Sequence, residues 1–373
     1  MIYLDNSSTT KPYPSVVEAC RWALEENFGN PSSLHRLGFQ AEKAVKEARE
    51  NVAALINVSP EEIVFTSGGT EGNYLAIRSV VEGSKDKHII TSVVEHPSVM
   101  AVFEALEAAG WEVDYIPVDK TGHVDVDVLK ESLRKDTVLV SIMAVNNELG
   151  TNQPISEIGK LLKDHPKTYF HVDAVQAVGK VAVDMTRVDL LTMSAHKIHG
   201  PKGIGALYVR RGRKFESIMP GGGQERGFRG GTENVPAIVG FGEAAKIALK
   251  KMPEIGILKA KRDELAAEIK RLVPDCTINS PAESVLILNV SFPNIKAEVL
   301  LHALEEEGIY VSTGSACSSR KKAHPVLVAI GLDEKLHDGT IRFSLGWGNE
   351  DIDPGYIAKV TAEKVREIQL LLK

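Results

Sequence analysis

From about Val16 to Lys250 the hydrophobic positions alternate between two periods. Ala44, Ala48, Val52 and Leu55 recur at helical spacing, which predicts an amphipathic helix over Ala41–Ile56. Short apolar runs predict strands at Ile63–Phe65, His88–Ile90, Val113–Val118, Thr137–Met143, Tyr169–Val172 and Leu190–Met193. Helical stretches, Val99–Ala109 and Ile155–Asp164 among them, separate most of these strands. Such alternation predicts βαβ units and an α/β fold, a mostly parallel sheet covered by helices on both faces. Ligands of such sheets sit at the carboxyl ends of the strands.

The pattern changes near Met252-Pro253. A charged helix over Glu254–Leu272 reads as a connector, followed by strands at Val285–Phe292, Ile309–Ser312 and Ile341–Leu345 with helices at Ala297–Glu306 and Pro354–Leu372. A compact second unit of α+β type is expected there.

Composition narrows the function. A length of 373 residues allows a large and a smaller domain, and 43% hydrophobic with 25% charged residues is ordinary for a globular protein. A net charge of -6 disfavours general nucleic-acid or membrane-surface binding, and no apolar run approaches a membrane span. The first residues, Met1 to Asp5, lack the basic start and apolar core of a signal peptide. Three separated cysteines, Cys20, Cys276 and Cys317, suit neither a disulfide framework nor a CxxC metal site. A reducing cytoplasm, with no metal, is the expectation.

Polar motifs follow the predicted strands. Lys197 stands in Ser194-Ala195-His196-Lys197-Ile198-His199-Gly200 just past a buried run. A lysine amine reacts with an aldehyde only when unprotonated, which favours a partly desolvated, electropositive site; the alternative is a surface lysine in a basic turn. Asp173 and Gln176, at another strand end, could aim at one planar ligand, with Asp173 on a protonated ring nitrogen; helix capping is the alternative. Thr66-Ser67-Gly68-Gly69-Thr70-Glu71-Gly72-Asn73, before a helix expected to begin near Asn73, has the make-up of a phosphate cradle but matches no nucleotide-binding signature. His96 could stack on a flat ring and move protons, or cap a helix. Cys317 lies among small residues and ahead of Arg320, Lys321 and Lys322, whose charge favours a thiolate. Cys20 reads as core packing, and Cys276 has no activating neighbour.

These motifs, in this order, resemble the cysteine desulfurase family of the NifS/IscS type, within the class V aminotransferase group of fold-type I pyridoxal-phosphate (PLP) enzymes. The similarity runs end to end, through Tyr3 to Thr10, Asn30 to His35, Ser67 to Glu71, Glu95 to Val99, Val145 to Gly150, the Asp173 and Lys197 motifs, Gly221 to Arg226, Gly231-Thr232, the Cys317 loop and Ile341 to Gly346. The resemblance implies a large PLP-binding domain over 12–250 with a mostly parallel seven-stranded sheet. It also implies a small α+β domain, 1–11 and 251–373, carrying a mobile cysteine loop. It implies that Lys197 holds PLP as an imine, that Asp173 pairs with the ring nitrogen, that Gln176 meets the ring hydroxyl, and that His96 stacks and shuttles protons. Gly69, Thr70, Ser194 and His196 would hold the phosphate, joined by Thr232 of a second subunit, which makes a homodimer. Asn147 and Arg342 would fix the substrate, and Cys317 would take sulfur from L-cysteine as a persulfide, leaving L-alanine. A sulfur acceptor follows, either an iron–sulfur scaffold or a tRNA-thiolating enzyme. The chain departs from the family in having Ser318-Ser319-Arg320-Lys321-Lys322 where many members have Thr-Ser and then Leu-Glu-Pro. A selenocysteine lyase, an aminotransferase with an incidental Cys317, and a non-catalytic relative are the alternatives.

Overall fold

The structure is a computed structural model that describes residues 1–313 and 324–371; Cys317 and its loop lie outside them. Strand β1 (Ile2–Tyr3) opens the chain. Seven strands follow: β2 (Ile63–Thr66), β3 (His88–Ser92), β4 (Glu112–Ile116), β5 (Thr137–Met143), β6 (Tyr169–Asp173), β7 (Leu190–Ser194) and β8 (Gly205–Val209). They form one sheet in the order β2-β8-β7-β6-β5-β3-β4. β7, β6, β5, β3 and β4 run parallel, and β8 lies antiparallel between β2 and β7. The expected sheet is therefore present, with helices on both sides. Strands β2, β3, β5 and β7 are buried at every residue, the burial of a sheet covered on both faces.

Two of the differences from expectation bear on the site. β8 was not anticipated, because Gly-Ala-Leu-Tyr-Val is short and follows a glycine-rich stretch that reads as loop. The helix after β2 starts at Gly69, not near Asn73. Glycine disfavours a helical start, but here packing overrides propensity. A Cβ at Gly69 would stand 2.8 Å from Cγ2 of Val175, so the bare backbone lets this helix end press onto the turn after β6.

Four further strands, β9 (Thr277–Ile278), β10 (Ile287–Ser291), β11 (Ile309–Tyr310) and β12 (Thr340–Ser344), belong to the second half. β10 pairs antiparallel with β9 and β12, and β1 pairs parallel with β11. A second apolar cluster gathers Leu4, Leu258, Leu265, Leu288, Phe292, Leu300, Phe343 and Ile357, apart from the clusters on the large sheet. Leu4 belongs to it, and the backbone there bonds to Tyr310 and Ser344. The N-terminal segment then crosses to the large sheet, where Thr10 N and Oγ1 both donate to the carbonyl of His196 at 3.0 and 2.9 Å. Residues 1–11 thereby tie the second sheet to the loop that carries Lys197.

Candidate active site

The chemistry-bearing side chains emerge at the carboxyl ends of β2, β3, β5, β6 and β7. This is the face on which parallel sheets bind ligands. The close approach of these ends depends on Gly205, opposite both Thr66 and Ser194, where a Cβ would fall 2.7 Å from the Met193 carbonyl oxygen and 2.9 Å from Cα of Gly68.

Asp173 ends β6 and is buried. Oδ2 accepts from Asn73 Nδ2 at 2.8 Å and Oδ1 from the amide of Val175 at 3.0 Å. Among the described residues, no cationic side chain forms an ion pair with it. Oδ1 thus closes the turn after β6, and neither oxygen meets a cationic side chain among the described residues. Asn73 also donates to Ser98 Oγ at 2.9 Å, which fixes the amide orientation at both contacts.

His96 caps the helix Pro97–Ala108, its Nδ1 accepting from the Ser98 amide at 3.1 Å. Ser98 Oγ lies 2.8 Å from the same nitrogen. Burial pushes the imidazole pKa down, the charge of Lys197 adds to that, and Asp173 opposes it. The ring is therefore biased neutral and lies within the fields of both residues.

Lys197 closes the one-turn 3-10 segment after β7. Its Nζ donates to the carbonyls of Ser7 and, at 2.8 Å, Ser8. Gln176 Nε2 donates to the same Ser7 carbonyl at 2.9 Å. His196 lies 3.2 Å from Thr9 Oγ1 through Nδ1, and burial, with the charges of Lys197, Lys202 and Lys180, pushes its pKa down to about 4. It is a neutral donor or acceptor at pH 7. Deeper in β6, His171 bonds to Ser141 Oγ and Thr192 Oγ1 at 2.8 and 3.0 Å, with burial pushing its pKa to about 3; it is a packing residue.

Gly69 and Thr70 open the helix Gly69–Val81, beside buried Ser194. The first amides of a helix have no intrahelical acceptor and lie at its positive end. The turn is braced by Glu71, which accepts from Arg229 at 2.8 Å and from the Ser67 amide at 3.0 Å. Such a cradle fits a phosphate. The Asp173 carboxylate fits a protonated ring nitrogen, and the Lys197 amine fits an aldehyde. These donors and acceptors are compatible with PLP.

Arg342, on β12, is buried. Its Nη1 donates to the Asn147 carbonyl at 2.9 Å, and its Nη2 to Asp5 Oδ1 at 2.9 Å and Ser8 Oγ at 2.7 Å. Asn147 sits on a turn built by Asn146, whose Oδ1 accepts the amides of Glu148 and Leu149 at 2.9 and 2.8 Å. Lys197, Asp173, Gln176, His96, His196, Gly69, Thr70, Ser194, Asn147 and Arg342 therefore emerge on this face or bond to the segment Asp5–Thr9 that covers it. Thr232 does not: it is exposed ahead of the helix Val235–Lys251, and no described bond joins it to the Gly69 turn. Cys317 lies outside the described residues.

Several residues here had no role assigned from sequence, namely Asp5, Ser7, Ser8, Asn73, Glu95, Ser98 and Lys180. Most stand inside the quoted motifs, yet carbonyl acceptors and cross-sheet partners leave no mark on periodicity. Glu95 is a clear instance. Its Oε1 accepts from Ser92 Oγ at 2.7 Å and the Met143 amide at 2.9 Å, while Oε2 has no partner among the described residues. Burial pushes its pKa up to about 8, the charge of Asp173 adding to this against those two bonds. The folded state thus keeps Glu95 protonated at pH 7, whereas the unfolded chain ionises it near 4.5. Stability should fall as pH rises through that window, by at most about 1.4 kcal/mol per pH unit. Glu95→Gln, which cannot ionise, is expected to flatten the decline in melting temperature between pH 5 and 8; parallel slopes for both proteins would disprove this assignment.

The family model for aminotransferase class-V matches residues 2–353. A cysteine desulfurase IscS of Dictyoglomus turgidum is 44% identical over 378 residues, covering 99% of this chain and 96% of its own. A cysteine desulfurase of a Nostoc species is 47% identical over 379 residues, covering 100% of this chain and 94% of its own. The chain belongs to the cysteine desulfurase family. Solved structures agree: a NifS-like protein superposes with a TM-score of 0.90 at 37% identity over 99% of both chains. SspA, solved in complex with cysteine, gives a TM-score of 0.80 at 34% identity over 92% of this chain and 99% of its own. Among the described residues of this family member, no helix is long and apolar enough to cross a membrane and no cluster of His, Cys, Asp and Glu could hold a metal.

Proposed function

We propose that the chain is a PLP-dependent cysteine desulfurase that converts L-cysteine to L-alanine and holds the sulfur on Cys317 as a persulfide. The observation that carries this reading is the buried Asp173 carboxylate, which pairs with no cationic side chain among the described residues and lies within electrostatic range of His96, which in turn feels Lys197. A ring nitrogen that must stay protonated needs that arrangement.

Lys197 would anchor PLP, Asp173 the ring nitrogen and Gln176 the ring hydroxyl, with His96 on the ring face. Gly69, Thr70, Ser194 and His196, with Thr232 of a second subunit, would hold the phosphate, and Asn147 would contact both cofactor and substrate. Bound PLP supplies an electron sink that makes the substrate α-proton acidic and the Cβ–S bond labile. Lys197 Nζ, once free, takes the α-proton and returns protons to the carbon skeleton. Biased neutral by burial and with Nδ1 accepting from the Ser98 amide, His96 carries its proton on Nε2 and can pass it to a substrate atom. Arg342 orients the substrate carboxylate, for which it would exchange Asp5. The Cys317 thiolate then attacks the substrate sulfur, so an S–S bond forms as Cβ–S breaks. Cysteine and one enzyme thiol become alanine and one enzyme persulfide, with no external oxidant.

Residues 12–250 are read as the PLP-binding domain and 1–11 with 251–373 as the small domain, supported by the separate apolar cluster around Leu4, Phe292 and Ile357. Exposed large apolar side chains, Phe28, Leu34, Phe39 and Tyr74 among them, support a homodimer, since a partner surface would cover them. The basic residues Arg320, Lys321 and Lys322 suit an acceptor with an acidic patch, either an iron–sulfur scaffold or a tRNA-thiolating enzyme. A reducing cytoplasm suits the thiol chemistry.

The test is direct. The PLP-loaded protein is incubated with L-cysteine and a reductant, and alanine and sulfide are measured; equal yields are expected, and turnover of selenocysteine alone would favour the lyase. Arg342→Lys is expected to lower kcat/KM about 10- to 100-fold, because a point charge replaces two directed bonds worth roughly 1.5–3 kcal/mol. An unchanged kcat/KM would remove Arg342 from the substrate site.

A further inference from the structure

Lys180 is a partly buried lysine that the reaction above does not use. It follows Gly179, whose φ of +73° turns the chain back after the Asp173–Gln176 segment. Its Nζ donates to Gln176 Oε1 at 3.2 Å, and no acidic side chain among the described residues forms an ion pair with it. It lines two small adjoining cavities. One also touches Ser7, Gln176 and Leu345, and the other Asn6, Lys197 and His199. A cation left here without a carboxylate needs a reason, because desolvating a charge is costly.

The reason lies in the amide of Gln176. A lysine amine, charged or neutral, has N–H bonds to donate, so it selects the amide oxygen. At the other end, the Ser7 carbonyl can only accept, and it selects the amide nitrogen. The two contacts agree, and the Gln176 side chain has one permitted orientation, Oε1 toward Lys180 and Nε2 toward Ser7 and Lys197. Without Lys180 the oxygen end would be unheld, and the amide could rotate or turn over.

We propose that Lys180 is a positioning residue that locks the Gln176 amide, so that its N–H, and not its carbonyl oxygen, faces the cofactor's ring hydroxyl. This rests on the reading of Gln176 given under the proposed function. The titratable groups facing Lys180 are Lys197, His196 and His199, with Lys251 and Glu350 beyond His199. Burial, then the charge of Lys197, pushes the Lys180 pKa down to about 7. His196 and His199 are both pushed to about 4, so around pH 7–9 neither changes charge.

An N–H aimed at the ring oxygen favours the deprotonated form of the bound cofactor. Lys180→Met keeps the aliphatic stem and removes the donor. The experiment is a pH titration of the bound-cofactor absorbance in the full-length PLP-loaded protein, for wild type, Lys180→Met, Gln176→Ala and the double variant. The expected result is an upward shift of the midpoint by about 1 pH unit in Lys180→Met, a shift in the same direction in Gln176→Ala, and no further shift when the two are combined. A wild-type midpoint in Lys180→Met, or additive shifts in the double variant, would overturn the proposal. A wild type with no cofactor absorbance at all would instead overturn the proposed function. Should Lys180→Met fail to accumulate folded, Lys180→Arg keeps a donor at this point and must keep the wild-type midpoint; a shift of a full unit would overturn the proposal equally.

Discussion

Replacing Lys197 by alanine is expected to remove the visible absorbance of bound cofactor and to lower alanine production from cysteine by at least about 10³-fold. The substitution deletes both the anchoring amine and the base for the α-proton, and neither Lys180 nor His96 is placed to take over. Lys180 holds Gln176, and His96 is occupied at Nδ1 by Ser98. The fold should survive. The carbonyls of Ser7 and Ser8 lose one donor, but Gln176 still donates to Ser7, and Thr10 still joins His196 and His199 at 2.9 and 2.7 Å. Absorbance spectra, a circular-dichroism melt and alanine assays on one preparation check this. A variant that retained both absorbance and turnover would place the cofactor lysine elsewhere.

Cys317→Ala should separate the two halves of the reaction. Cofactor absorbance and its change on adding cysteine are expected to persist, while sulfide release falls by about 10³-fold or more. The other thiols cannot substitute. Burial pushes the pKa of half-buried Cys20 and of fully buried Cys276 up, and each is only partly offset by a nearby hydrogen bond or lysine. An ordinary thiol near pKa 8.5 is only about 3% thiolate at pH 7, and these two fall below that. Sulfide release that survived in Cys317→Ala would sink the persulfide step and favour an aminotransferase-type reading.

How far the sequence reaches can be judged from particular elements. Strands of the large sheet were legible because a sheet buried on both faces demands continuous apolar runs. Their ends were less so: the strand expected to reach Val118 stops at Ile116, as Pro117 has no N–H for the ladder. Gly205–Val209 escaped because its pairing is non-local, set by Ile63–Thr66 and Leu190–Ser194 on either side. At the site, the motif residues were visible as unusual polar groups after strands. Their supports were not. Asp5 meets Arg342, Asn73 meets Asp173, and Ser7 meets Lys197 across 337, 100 and 190 positions respectively. No local pattern encodes contacts of that range.

The crossing of residues 1–11 from one sheet to the other has a consequence for biosynthesis. The Ser7 carbonyl receives Lys197, while the Ser7 amide donates at 2.9 Å to Oγ of Ser344, which is made 337 positions later. Until β12 has been made, the large sheet can collapse, but the segment over Lys197 lacks its bonds to Ser344 and Arg342. Fragments ending before β12 should therefore be compact yet unable to capture the cofactor.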